Sequence, residues 1–322
     1  MAQTGRIVGL DVSKLKVDGC VVSAGARGSW PSTSEGRAEL LAWLQTHEVE
    51  IAVMEASGGY ERSWAKALRS AGIEVRIVDP KRVRHFAKAA GRLAKSDPID
   101  AEMIARFAEA FPDARCQPED VDREELAMLV KARAALMQVK TEIENHSEHQ
   151  QPRAAGKAFA AVTRSIESQL NKLEAAIAAK VAASERFAAK AEIIESVPGL
   201  ATQSAAALIA CMPELGQVDE KAIAALLGAA PYDDDSGTHR GERHIKGGRQ
   251  TIRSLLYMPV VGAATQHNPV LKAYYQRLRA KGKQGKVAII ACMRKLIVIL
   301  NVMLARGEKW DPSRDRRSAA IA

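Results

Sequence analysis

Four carboxylates in the first third of the chain could share one metal site. Asp11 ends the run Val8-Gly9-Leu10-Asp11, and Glu55 ends Val53-Met54-Glu55. Acids at strand ends of an α/β sheet project into the crevice where such folds place their sites. Asp97 and Asp100 stand three residues apart at the expected start of a helix, so they share one face. Four acids meeting in one place repel one another, and a divalent cation relieves that. Hard oxygen donors favour Mg²⁺ or Mn²⁺ over zinc. Each acid also has a purely structural reading. In Asp97-Pro98-Ile99-Asp100, Asp97 can be an N-cap, Pro98 the N1 residue and Asp100 an acid facing the helix dipole. Taken alone, that capping reading is the better one, and Asp11 could be a turn residue. Glu55 is harder to dismiss, because an acid closing an apolar strand needs a partner. It is the combination in one α/β domain that favours metal.

The second chemical candidate is Ser236, in Asp233-Asp234-Asp235-Ser236-Gly237-Thr238. A serine before glycine in a polar loop is ordinarily a turn. Here Arg240, Arg243, Lys246, Arg249 and Arg253 crowd the residues that follow, with Gly241, Gly247 and Gly248 among them. A hydroxyl beside such a cluster is suitably placed to meet a phosphodiester, given a base or metal to activate it. A second basic cluster, Lys81, Arg82, Arg84, His85, Lys88, Arg92 and Lys95, contains no acid. It is either an exposed helix or a nucleic-acid surface, and its neighbourhood favours the latter.

The elements that must position these groups can be read from periodicity. Arg6–Val12 is expected as a strand with Val17–Ser23 as its hairpin partner. Gly36–Leu44 patterns as an amphipathic helix, Ile51–Glu55 as a short buried strand, Tyr60–Ala71 as a helix stopped by Gly72, and Ile73–Val78 as another strand. Helices are expected from Lys81 to Phe111. This order predicts an α/β domain with a central mixed sheet. Pro112, Pro118 and the acidic stretch Glu119–Glu125 mark a boundary. Beyond it, Leu126, Leu129, Leu136 and Ile143, then Ile166, Leu170, Leu173, Ile177 and Val181, form two narrow apolar seams separated by Gln150-Gln151-Pro152. They predict a helical hairpin or coiled coil, with a plain bundle as the alternative. From Ile193, the turn Val197-Pro198-Gly199 before Ala205–Ile209 is read two ways of equal weight. One is a helix-hairpin-helix offering backbone N–H groups to phosphate; the other is a simple packing unit. Ala201 stands where that motif has its second glycine.

Length and charge narrow the class. The chain has 322 residues and a net charge of +9, enough for about two domains. Hydrophobic residues make up 47%, which excludes global disorder. The basic excess is local: residues 236–322 carry 18 Lys and Arg against 4 Asp and Glu. That density suits a polyphosphate partner, because neutralised phosphates release counterions. Aromatics are only 4%, which argues against a base-stacking platform. Cys20, Cys116, Cys211 and Cys292 form no C-x-x-C pair, so a zinc ribbon is excluded and a reducing cytoplasm is expected. The first residues lack a signal-peptide pattern. Val287–Leu304 is apolar but carries Arg294 and Lys295 at its middle, and is expected not to span a membrane.

Gly9-Leu10-Asp11, Met54-Glu55-Ala56-Ser57-Gly58-Gly59-Tyr60 and Lys95-Ser96-Asp97-Pro98-Ile99-Asp100-Ala101 resemble the DEDD motifs of the insertion-sequence-110-type transposases. Pro231…Ser236-Gly237…Gly241…Ile245-Lys246-Gly247-Gly248…Leu255-Leu256-Tyr257-Met258-Pro259 is similar to that family's C-terminal signature. The resemblance covers nearly the whole chain in order and spacing. It implies a RuvC-like (RNase H-like) α/β nuclease domain at 1–118, a helical coiled-coil linker at 119–192 and a mainly α transposase domain at 193–322. It implies metal-binding roles for Asp11, Glu55, Asp97 and Asp100 with Mg²⁺ or Mn²⁺, and a nucleophile's role for Ser236. It further implies a homo-oligomer, dimer or tetramer, acting on donor and target DNA under a structured non-coding guide RNA. Lys81, Arg82, Arg84, Lys88, Arg240, Arg243, Lys246, Arg249 and Arg253 are the expected nucleic-acid contacts. Two rivals stay open: a RuvC-type Holliday-junction resolvase using water, which forms no covalent adduct, and a non-catalytic nucleic-acid-binding protein, which shows no Mg²⁺-dependent cleavage.

Overall fold

The computed structural model describes residues 6–91, 97–112, 120–149, 152–233, 235–236, 239–241 and 243–313. They form two compact units, the first ending at Glu119 and the second beginning at Asp120. By this division the long helical pair after residue 120 packs with the C-terminal helices.

The first unit is a five-stranded mixed sheet covered by helices. Its strands are Arg6–Val12 (β1), Lys16–Val21 (β2), Ala26–Pro31 (β3), Val49–Glu55 (β4) and Glu74–Val78 (β5). They lie in the order β3-β2-β1-β4-β5. β1, β2 and β3 are antiparallel neighbours, whereas β4 runs parallel to both β1 and β5. Helices Ser34–Thr46 (α1) and Glu61–Ser70 (α2) cover one face. Leu40, Leu44, Trp64 and Leu68 there pack on Val8, Leu10, Ala52 and Met54. Helices Pro80–Ala89 (α3) and Asp97–Ala110 (α4) cover the other. Val83, Met103, Ile104 and Phe107 there pack on Ile7, Val53 and Val78. Each fully buried Leu, Ile, Val, Met or Phe contributes about 1.5–3 kcal/mol, so the strands are held from both sides. The period-two alternation then assigns faces: Ile7, Gly9 and Asp11 share the α4 side, as do Ile51, Val53 and Glu55.

β3 carries no apolar alternation, and only Trp30 in it is buried. It forms because Gly19 and Gly28 pair directly across β2 and β3, leaving a flat patch that the Trp30 ring covers. The expected strand at Val17–Ser23 stops at Val21, where a short 3₁₀ turn, Val22–Ala24, leads to Gly25 at φ 62°.

The second unit is mainly helical. Val121–Ser147 (α5) and Arg153–Ala182 (α6) form an antiparallel hairpin. Arg133–Glu174 at 2.6 Å and Lys140–Glu167 at 2.8 Å bridge it. Glu185–Glu195 (α7), Thr202–Cys211 (α8) and Glu220–Leu227 (α9) follow, then Gln250–Gly262 (α10), Pro269–Ala280 (α11) and Gly285–Arg306 (α12). Leu126 and Val130 of α5 and Ile177 and Val181 of α6 join one apolar cluster with α7 to α12. α12 is long and apolar enough to cross a membrane by length and composition. It is instead the central core helix, with Ile289, Met293, Leu296, Ile297 and Leu300 at most 4% exposed. At the Pro-Gly turn, Val197 is fully buried and a Cβ on Gly199 would press on Ala263, so the turn is a packing contact on that side.

Candidate active site

β1 and β4 place the first two acids side by side. Their parallel register runs to Leu10↔Met54; one step further sets Asp11 level with Glu55. Both belong to the face α4 crosses. Gly9 is what lets α4 approach: a Cβ there would overlap the Ala101 carbonyl oxygen and stand 2.5 Å from the Ala105 nitrogen. Later α4 residues pack toward Ile7 at the start of β1, so the helix runs back along the strand. Its first turn, which holds Asp97 and Asp100, therefore lies toward the strand end that carries Asp11. Asp11, Glu55 and Asp100 are all half-buried. Among the described residues, no three His, Cys, Asp or Glu side chains stand close enough to hold one ion. The Asp97 side chain lies outside the described residues.

Sequence reasoning missed Asp18. It pairs directly with Asp11 across β1 and β2, is 8% exposed and carries Lys16 Nζ at 2.8 Å. Like charges opposite one another on a ladder destabilise it, and Lys16 offsets that here. Counting the hairpin register back from the tight turn, in which Ser13 N donates to Lys16 O at 2.9 Å, would have found it.

The loop after Glu55 is fixed by Glu61. One carboxylate oxygen of Glu61 accepts from Ser57 N at 3.0 Å, Ser57 Oγ at 2.7 Å and Gly59 N at 2.8 Å. Burial pushes this carboxyl up, but those donors outweigh it and the net shift is down. A depressed folded pKa contributes stability above the unfolded value, about 4.3, and loses it as pH falls through the folded value. Glu61→Ala should therefore cost about 1–2 kcal/mol at pH 7, since it strands half-buried donors. The gap to wild type should narrow as pH drops below about 4.3, because only the charge-dependent part of these bonds is lost. Denaturant melts at pH 7 and pH 3 check both parts; an undiminished gap at pH 3 contradicts the linkage.

α3 presents the first basic surface. Asp79 caps it by accepting from Lys81 N at 2.9 Å, and Pro80 opens its first turn. Lys81, Arg82, Arg84, His85 and Lys88 are exposed. Arg82 stacks over Phe107 and Phe111, 5.3 and 5.9 Å from the ring centres, which orients its guanidinium. Arg92 and Lys95 lie outside the described residues.

Ser236 is on a paired arm rather than in an irregular loop. Pro231–Tyr232 (β6) pairs antiparallel with His244–Ile245 (β9), and Asp235–Ser236 (β7) pairs with His239–Arg240 (β8). Ser236 is thus at the far end of the pairing, opposite His239. The side chains of Ser236 and Arg240 lie outside the described residues. Arg243 Nε pairs with Asp233 at 2.5 Å. Arg249 and Arg253 are turned inward. Arg249 grips Glu214 through two bonds of 2.7 and 2.6 Å and donates to Cys211 O at 2.8 Å. Burial raises the Glu214 carboxyl, but Arg249 overrides it and holds the net below the ordinary range. From Arg243 to Gly307 the sequence contains no Asp or Glu. Lys272, Arg277, Arg279, Lys281, Lys283 and Lys286, around the turn from α11 to α12, are all exposed there. Burial pushes the Cys20 and Cys211 thiols up, and that of Cys292 up to about 11. These three are not thiolate nucleophiles.

Comparison with known proteins assigns the family. A DEDD-type model described as "Transposase" matches residues 8–150, and one described as "Transposase IS116/IS110/IS902 family" matches residues 191–276. The chain is 24% identical to the pilin gene-inverting protein of Moraxella bovis, over 94% of this chain and 97% of that one. The Moraxella lacunata protein of the same description is likewise 24% identical over the same shares. An insertion element IS110 uncharacterized 43.6 kDa protein of Streptomyces coelicolor is 28% identical over 37% of this chain and 30% of its own. The two models span the strand-end acids and the serine arm in chain order, and the chain belongs to the IS110/IS116 family of transposases.

Proposed function

We propose that this transposase cuts and rejoins DNA through a covalent phosphoserine intermediate on Ser236, with Asp11, Glu55, Asp97 and Asp100 as the ligands of Mg²⁺ or Mn²⁺. The observation that carries this reading is the pairing of β7 with β8, which places Ser236 at the end of an arm with Arg240, Arg243 and Lys246 in its return strand and base. A RuvC-like fold for the first unit is supported by the strand order and by the level placement of Asp11 and Glu55. The donor chemistry fits the ion: carboxylate oxygens alone, with no thiol or imidazole among these acids. When bound, the metal neutralises charge on the scissile phosphate.

The residues of the chain do the rest. Ser236 Oγ attacks phosphorus and forms the P–Oγ bond as the bond to the leaving sugar oxygen breaks. The hydroxyl proton passes to solvent or a carboxylate, and the leaving oxygen takes one up. Rejoining reverses the step: a sugar hydroxyl attacks the phosphoserine, the P–Oγ bond breaks and Ser236 is regenerated. The diester count is conserved, so no cofactor energy is needed. Arg240, Arg243 and Lys246 position the strand and neutralise the charge that builds on phosphorus. The exposed bases of α3 and of the α11–α12 turn hold flanking duplex or a guide RNA, in an oligomer of this chain.

The test is to trap the adduct. Wild-type protein, a nicked DNA substrate and Mg²⁺ should give a covalent protein–DNA species whose phosphopeptide maps to Ser236. Ser236→Ala should give none, with unchanged DNA affinity. Cleavage by Ser236→Ala at the wild-type rate would return the site to a water nucleophile.

A further inference from the structure

The arm that carries Ser236 leaves the helical unit through a clasp. α9 ends at Gly228, at φ 77°, and the arm returns through Gly247 and Gly248 at φ 69° and 68°. Gly228 and Gly248 touch backbone to backbone. A Cβ on Gly248 would overlap the Gly228 nitrogen and Cα, and one on Gly228 would overlap the Gly247 carbonyl oxygen and the Arg253 guanidinium. Only glycine tolerates both the left-handed conformation and this approach. Arg253 closes the gap from α10. Its Nη1 donates to the carbonyls of Leu227 at 3.4 Å, Gly228 at 3.2 Å and Gly247 at 3.1 Å, so one nitrogen spans the outgoing and the returning strand. Arg249 adds two more ties. Its amide donates to Leu226 O at 2.8 Å, and its guanidinium grips Cys211 O at the last residue of α8 and Glu214 just after it.

The lever arm decides what such a clasp is for. Gly228 to Ser236 is eight residues, at most about 27 Å of extended chain. A swing of about 10° at the base would move the far end by up to about 5 Å. Reacting groups must be held to within about 1 Å, and a misplacement of that size costs about 100-fold in rate. A serine at the end of so long an arm therefore needs a base that does not rotate.

We propose that Arg253, with the Arg249–Glu214 pair, is a positioning device for the Ser236 arm and not a contact to nucleic-acid phosphate. The inference rests on Ser236 being the reacting group. It gives Gly228, Gly248 and Glu214 a function, and it removes Arg249 and Arg253 from the strand-binding set.

The test compares full-length wild type with Arg253→Ala, Arg253→Lys and Glu214→Gln in three measurements. Amide hydrogen exchange across 229–247 should quicken by at least about tenfold in Arg253→Ala and Glu214→Gln, with protection of α12 unchanged. Duplex DNA affinity and its salt slope should stay within threefold and 0.3 of wild type. Covalent capture of DNA should fall by at least about 100-fold in Arg253→Ala, with partial rescue in Arg253→Lys. A phosphate contact behaves differently: affinity drops, the salt slope falls by about 0.9, arm exchange is unchanged, and Glu214→Gln is harmless. That pattern overturns the proposal, as does unaltered exchange in both variants. Should Arg253→Ala fail to fold, Glu214→Gln decides, because removing an acid cannot remove a phosphate contact. If wild type forms no adduct while exchange still quickens in the variants, the serine reading has failed and the clasp stands as an arm-orienting structure.

Discussion

Asp11→Asn and Glu55→Gln are each expected to lower recombination by about 10³-fold, the scale on which one preorganised charge stabiliser counts in a transition state. Folding should be untouched. Asp11 faces Asp18 across the β1–β2 ladder, where Lys16 already balances the pair, and Asn keeps the size of Asp, so the metal-free variant should melt close to wild type. The metal gives a readout that needs no DNA. Mg²⁺ at 100 times its Kd stabilises a folded protein by about 2.7 kcal/mol, and Asp11→Asn should lose most of that increment. Asp97 and Asp100 need a different design, because a capping role competes. Asn is as good an N-cap as Asp, so Asp97→Asn keeps any cap while deleting the charge. Loss of activity and of Mg²⁺-dependent stabilisation with an unchanged melt in EDTA assigns both residues to the metal. Full activity in Asp97→Asn and Asp100→Asn, with Asp97→Ala costing about 1 kcal/mol, assigns them to the helix start.

What the sequence made legible follows how each element earns its stability. β1 and β4 are short apolar runs buried on both faces, α1 and α2 bury one face at helical spacing, and their residues announce them. So do the two seams of α5 and α6. β3 is invisible because its pairing depends on a glycine patch and one tryptophan. The Ser236 arm is invisible for a related reason. Its strands are two residues long, too short for any periodicity, and the Pro231, Tyr232, His244 and Ile245 side chains of β6 and β9 are exposed, so ladder bonds and the glycine clasp hold the base of the arm. Candidate chemistry was legible at Asp11 and Glu55, because a strand-end acid after an apolar run is a local pattern. Asp18 was not, since only the hairpin register reveals that it faces Asp11. Charge near the serine was legible, but not its partners. Arg249 and Arg253 look the same as Arg243 in sequence, yet Glu214 and three carbonyls lie 25 to 35 residues or, for Gly247, 6 residues away along the chain.

Mixing two inactive proteins is expected to restore cleavage. The proposed reaction divides its parts between two units: the carboxylates belong to the unit that ends at Glu119, and Ser236 to the one that begins at Asp120. The long α5–α6 hairpin opens the second unit, and 135 residues lie between Asp100 and Ser236 in sequence. Two half-sites on separate compact units can be completed by the same chain or by a neighbouring one. Completion by a neighbour has a functional consequence, because a lone protomer would then be unable to cut DNA before its partners arrive. Ser236→Ala and Asp11→Asn should each be inactive alone, by about 10³-fold or more. Co-assembled in equal amounts, they should recover a substantial part of wild-type cleavage if sites are shared, because some assemblies contain one intact pairing of acids with serine. The adduct supplies the decisive label: DNA should be attached only to the Asp11→Asn chains, which keep the serine, and the metal should be held by the Ser236→Ala chains. Mixed oligomers shown to form by differently tagged subunits, yet giving no cleavage, would mean that each chain builds its own site from its own two units.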